Sequence, residues 1–109
     1  MSVPEEAMAV VRAWCERRTT DPDRCRVEAR TRGSAVTIVA TRAPWTGSAA
    51  DPWTSLPIAQ LRPGADGRWT LHWQDSRERW RLVEDLPPID RVKALLAVIE
   101  RNPDGIFWG

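Results

Sequence analysis

Cys25-Arg26-Val27-Glu28-Ala29-Arg30-Thr31-Arg32-Gly33-Ser34-Ala35-Val36-Thr37-Ile38-Val39-Ala40-Thr41-Arg42 is the stretch that decides the fold. Its first half alternates Cys25, Val27, Ala29 and Thr31 with Arg26, Glu28, Arg30 and Arg32, the two-residue period of a half-buried strand. Gly33 suits the first central position of a two-residue type II′ turn. The second half then runs back along the first, pairing Arg32 with Ala35, Ala29 with Ile38 and Val27 with Ala40. That register keeps small and apolar residues on one face, so turn chemistry and side-chain pattern agree.

Further strands follow downstream. Residues 43–57 contain two Pro-Trp pairs and read as a long loop. A third strand is expected over 58–62 and meets the turn Pro63-Gly64-Ala65-Asp66-Gly67. A fourth alternates over 68–74. A turn over Asp75-Ser76-Arg77-Glu78 leads to a fifth over 79–83. Symmetric closure of that hairpin pairs Trp73 with Trp80 and Leu71 with Leu82.

Helical spacing appears at the two ends. Ser2-Val3-Pro4-Glu5 reads as a capping box, so the first helix is expected to begin at Ser2. Ala7, Met8, Val11, Trp14 and Cys15 form its apolar stripe, which ends near Arg18 before a loop at Thr19-Thr20-Asp21-Pro22-Asp23. Ile89, Val92, Leu95, Leu96 and Ile99 mark a second helix, stopped by Asn102-Pro103. The apolar tail Ile106-Phe107-Trp108 is expected to pack. The order α-β-β-β-β-β-α implies an α+β fold in two layers: an antiparallel five-stranded meander sheet with the N- and C-terminal helices packed on one face. The other face meets water. With 109 residues, the chain is expected to be a single domain over 1–109, with roughly 65% of its unfolded surface hidden on folding.

Composition narrows the function classes. The chain is 42% hydrophobic and 28% charged, with a net charge of +1, so it has no strong overall field. Lys93 is the single lysine among 16 basic residues; the Arg bias reads as a phosphate preference or as plain base composition. Cys15 and Cys25 are too few for a disulfide scaffold, and the N-terminus lacks the pattern of a signal peptide. A cytoplasmic location with reduced thiols, and no membrane association, is the expectation. Both cysteines fall on faces assigned to the core. The one histidine, His72, lies on the opposite strand face from Trp69, Leu71 and Trp73, away from both thiols. No catalytic or metal constellation is recognised and no cofactor is expected, so the chain reads as a non-enzyme.

Arg42-Ala43-Pro44-Trp45, Pro57-Ile58-Ala59-Gln60-Leu61-Arg62, Trp69-Thr70-Leu71-His72-Trp73 and Asn102-Pro103-Asp104-Gly105-Ile106-Phe107-Trp108-Gly109 resemble the landmarks of a small bacterial family, domain of unknown function 3024. The resemblance covers nearly the whole chain. It departs at Trp80-Arg81-Leu82-Val83, where the family pattern has a histidine and a tyrosine after the tryptophan. The resemblance implies a stable stand-alone domain and brings no activity with it.

The functional lead comes from parity and from seven tryptophans in a chain with no tyrosine. Trp14, Trp69, Trp73 and Trp80 fall on faces assigned to the core. Trp45 and Trp53 lie in the long loop, either folded over a sheet edge or offered to a partner. The outward face is expected to carry Arg26, Arg30, Arg32, Arg62, Arg68, His72, Arg79 and Arg81, with Glu28 its only strand acid. Arg79 and Arg81 should flank His72 and Gln74. Such a face suits an anionic partner, either nucleic acid or an acidic protein surface, unless acids from loops and helix ends neutralise it. Single-stranded binders also display aromatics, and here only Trp45 and Trp53 are expected on the wet side. The alternative is a protein-interaction module or a homodimer formed through an exposed sheet edge; an enzyme with an unrecognised site comes third.

Overall fold

Pro4 sets where the first helix can start, because a proline disfavours helical geometry in the residue before it. The computed structural model describes residues 3–44, 46–47, 50–84, 86–102 and 105–107. In it the first helix, α1, runs Glu5–Arg18 with Pro4 as its extended N-cap at ψ 138 and no side-chain cap bond. This corrects the expected start at Ser2, which itself lies outside the described residues. The helix opens instead with Glu5 and Glu6, which complement the positive end of its dipole. Its far end is tied to the sheet by Thr19, whose hydroxyl donates to the Cys15 carbonyl and accepts from the Val27 N–H, both at 3.0 Å.

Five strands follow: β1 Cys25–Arg32, β2 Ala35–Arg42, β3 Thr54–Pro63, β4 Trp69–Gln74 and β5 Trp80–Leu82. They form one antiparallel sheet in sequence order, and α2, Val92–Arg101, closes the chain. The expected first hairpin is present, with Arg32 opposite Ala35, Ala29 opposite Ile38 and Val27 opposite Ala40. Gly33 adopts φ 61 while Ser34 does not go positive, as a type II′ turn requires.

β3 begins earlier than the pattern suggested. Residues 54–57, expected in the loop, extend the strand through a bulge at Ile38/Val39 that pairs Ala59 with Ile38 and Pro57 with Val39. Proline lacks a backbone N–H, so a bulge is a place where a strand tolerates it. The bulge lets Ile58 and Ala59 both reach the core. β3 meets β4 only from Gln60 opposite His72 onward.

The β4–β5 hairpin differs by one residue from the symmetric reading. Gln74 lies opposite Trp80, Trp73 opposite Arg81 and His72 opposite Leu82. The connection is a three-residue loop: the Asp75 N–H donates to the Arg79 carbonyl at 2.9 Å, the Glu78 N–H to the Asp75 carbonyl at 3.0 Å, and Glu78 sits at φ 63. A left-handed residue ending a turn of this kind is the G1-bulge hairpin. The one-residue shift turns Trp80 and Leu82 to the face away from the helices, so Trp80 is not part of the core as expected.

α1 and α2 cover the other face. The core between them joins Val11, Trp14 and Cys15 to Ile38, Leu61, Trp69 and Leu71, and to Leu95, Leu96 and Ile99. Cys25 is half-buried and lies outside that core, because it pairs with Arg42 at the end of its strand. Ile89, expected on the second helix, instead bridges Trp69 as a short strand; the following helix starts at Val92. Asn102 ends α2 in the left-handed region at φ 47, and its Oδ1 accepts the Phe107 N–H at 2.9 Å. Phe107 is thereby held in the core, as the apolar tail suggested, while Trp108 lies outside the described residues.

The loop geometry carries a stability consequence. A left-handed conformation costs an L-residue about 1–2 kcal/mol, while glycine adds roughly 0.5–1 kcal/mol of unfolded-chain freedom. Glu78→Gly is therefore expected to stabilise the domain by about 0.5–1 kcal/mol in urea unfolding, whereas a four-residue loop with an ordinary φ at Glu78 would make the same change destabilising.

Candidate functional site

The helix-free face of the sheet is organised around one continuous row. Arg30 lies opposite Thr37, Thr37 opposite Gln60, Gln60 opposite His72, and His72 opposite Leu82. Alternation places Arg26, Glu28 and Arg32 of β1, Arg62 and Thr70 of β3 and β4, and Gln74 and Trp80 of β4 and β5 on the same face.

The centre of this row is polar yet shielded. Gln60 is 6% exposed and His72 8%, although no helix covers them. Buried polar groups need partners, and these have them. Gln60 Nε2 donates to Thr37 Oγ1 at 3.0 Å, and its Oε1 accepts from Arg62 Nε at 2.6 Å. His72 Nε2 shares a 2.9 Å hydrogen bond with the Thr70 hydroxyl. Burial, and then the neighbouring Arg62 charge, push the His72 imidazole below its usual range, so it is neutral at pH 7.

The residues expected to form an anion site fall into separate groups. Arg30 and Arg32 are on β1, facing away from the helices, and Arg30 Nη2 reaches Glu28 at 3.4 Å. Arg68 stands in the β3–β4 turn, 4.0 Å from Asp66. Arg79 and Arg81 do not flank His72 and Gln74; Trp80 and Leu82 hold those places. Both arginines instead point to Asp75, with Nε distances of 3.3 and 2.7 Å. Trp53 is 39% exposed and lies under the Arg26 guanidinium, 4.6 Å from ring centroid to Cζ. Arg26 Nε also donates to the Pro22 carbonyl at 2.6 Å. Trp45 lies outside the described residues.

Loop acids thus engage part of the basic set, the neutralisation weighed from sequence. Arg68, Arg79 and Arg81 are drawn to the turns, and Arg30 shares Glu28. Exposed pairs of this kind contribute little, and the strands still bring Arg26, Arg30, Arg32 and Arg62 to this face against Glu28 alone. The sequence reading missed Trp80 and Leu82 on this face, and it missed the Thr37–Gln60–Arg62 relay. A three-residue loop closed by Asp75 was the signal; the αL position is held by Glu78 where a glycine would have announced it.

On the helix side, Cys15 is 3% exposed. Burial first, then the Glu28 and Glu16 charges, raise its pKa to about 11. The thiol is protonated at neutral pH and is a core group rather than a nucleophile. Among the described residues no helix is long and apolar enough to cross a membrane.

These features define a small α+β domain, with two helices packed on one face of a five-stranded antiparallel sheet and Arg26, Arg30, Arg32 and Arg62 on the other. Residues 2–109 match the domain of unknown function DUF3024, and the chain belongs to that family. No curated protein and no solved structure matches the chain.

Among the described residues Asp75 is the most heavily partnered acid beside this face. Oδ1 accepts the Arg77 and Arg79 N–H groups, each at 2.9 Å, and Oδ2 takes the two guanidinium contacts. The Arg79 N–H and the Arg81 guanidinium first, with the Arg77 N–H and the Arg79 charge, hold its carboxyl down at about 2 against the opposing effect of burial. A carboxyl lowered on folding stabilises the native state above its ordinary pKa and loses that contribution as pH falls from about 4 to about 2. Asp75→Asn is expected to melt at a lower temperature at pH 7 and to show a shallower loss of stability over that acid window, both read by thermal denaturation at a series of pH values.

Proposed function

We propose that this domain binds single-stranded nucleic acid across the helix-free face of its sheet. The observation that carries the reading is the company Trp80 keeps: the hairpin register sets this indole on the same face as Arg26, Arg30, Arg32 and Arg62. Binders of single strands combine a cationic surface that follows the phosphates with aromatic rings on which unstacked bases lie. Trp53, beneath Arg26 at the entrance to β3, supplies a second ring near the same face. In this reading the domain holds a ligand and does no chemistry on it. Its net charge of +1 gives little long-range steering, so binding depends on the local face.

Fluorescence anisotropy with labelled mixed-sequence RNA and DNA single strands tests the reading. With phosphates met by Arg30, Arg32 and Arg62, a slope of about −0.7 per phosphate predicts roughly twentyfold weaker binding between about 50 and about 200 mM salt. Trp80→Ala is expected to remove a stacked base, about 1–3 kcal/mol, and leave the salt slope unchanged. Absence of binding by the parent at the lower salt, or affinity indifferent to both salt and Trp80→Ala, overturns the proposal. A salt-insensitive dimer in light scattering in place of oligonucleotide binding would favour a protein-interaction role through the sheet edge.

A further inference from the structure

Four arginines reach the open face from the strands, and their guanidinium groups are held differently. Arg30 spends an Nη on Glu28 at 3.4 Å. Arg26 is fixed at a corner of the sheet, by the Pro22 carbonyl and the Trp53 ring. Arg32 is exposed and has no side-chain partner among the described residues. Arg62 alone is anchored from inside the sheet: its Nε rests on Oε1 of buried Gln60 at 2.6 Å, and Gln60 is in turn fixed through Nε2 to Thr37 at 3.0 Å. Among the described residues neither an acid nor another hydrogen-bond acceptor engages the Nη groups of Arg62.

We infer that Arg62, presented by the Thr37–Gln60 relay, is the arginine that grips a phosphate end-on through its two Nη groups, with Gln60 as its positioning residue. The inference rests on the nucleic-acid reading and deepens it by naming the phosphate contact. Three physical points support it. A guanidinium whose Nε is already bonded keeps its planar fork aligned, so less side-chain freedom is lost when a phosphate arrives. A relay of hydrogen bonds ending on a charged donor stiffens the whole chain. Its place also matters: Arg62 lies opposite Thr70, in the row next to the one in which Gln60 faces His72. A lysine at this position would keep the charge and lose the fork.

Charge-conserving variants separate this inference from the face reading beneath it. Arg62→Lys is expected to weaken binding of a labelled single strand about tenfold, and Arg32→Lys, which has a phosphate contact but no anchor to lose, about threefold. Gln60→Met removes the acceptor and is expected to weaken binding about as much as Arg62→Lys. The double variant Gln60→Met/Arg62→Lys should then lose no more than either alone, a non-additivity that a general loosening of the sheet would not produce. If Gln60→Met fails to fold by thermal melting, the Arg62 and Arg32 comparison still decides. Parental affinity in Arg62→Lys, or an equal loss in Arg32→Lys, overturns the inference while leaving the face reading in place. Failure of the parent to bind overturns both.

Discussion

The carboxylate of Asp75 closes the β4–β5 hairpin from within, with the Arg77 and Arg79 N–H groups at 2.9 Å on one oxygen and the Arg81 guanidinium at 2.7 Å on the other. This one group fixes a loop of three residues rather than four. Because strand side chains alternate, that choice decides the face on which every residue of β5 lies. Trp80 and Leu82 go to the open side with Gln74 and His72, and Val83 enters the core just beyond the strand. The composition of the open face therefore depends on an interaction in a turn.

A second constraint acts from the other end of the sheet. The bulge opposite Ile38 and Val39 accommodates Pro57 and delivers both Ile58 and Ala59 to the helices, so the inner face stays apolar across a break in register. The open face absorbs the consequence as polarity. Gln60 and His72 are buried there without a helix above them, and each keeps a hydrogen-bond partner. A buried amide satisfied on one side by Thr37 offers its other end to Arg62, so a requirement of folding becomes a means of presenting charge.

Much of this architecture was legible in the residues. Gly33-Ser34 and the two-residue alternation around it set the first hairpin register pair by pair, because glycine chemistry and apolar pattern carried the same information. The apolar stripes placed both helices and their common side. Legibility ended where a side chain replaced the usual turn residue. Glu78 in the left-handed region gives no glycine signal, so symmetric closure by pattern paired Trp73 with Trp80, and apolar matching was no guide because Trp and Leu suit either face of a short edge strand. Ser2 suggested a capping box, while Pro4 beside it dictated a later start. Ile89 kept its apolar role but as a bridge to Trp69. For the open face, alternation correctly gave Arg26, Arg30, Arg32 and Arg62, and failed for Arg79 and Arg81, which a turn acid recruits. The Thr37–Gln60–Arg62 relay crosses two strands, and only the register discloses it.

The most direct test is the hairpin register itself, read by nuclear Overhauser contacts between backbone Hα atoms across β4 and β5. Non-hydrogen-bonded pairs in an antiparallel ladder bring these protons closest. Val83 N–H donates to the Leu71 carbonyl at 2.9 Å, which makes Gln74/Trp80 and His72/Leu82 the non-hydrogen-bonded pairs. The account predicts strong Hα–Hα contacts within those two pairs. Contacts joining Trp73 to Trp80 and Leu71 to Leu82 would return the indole to the helix side and remove it from the basic face.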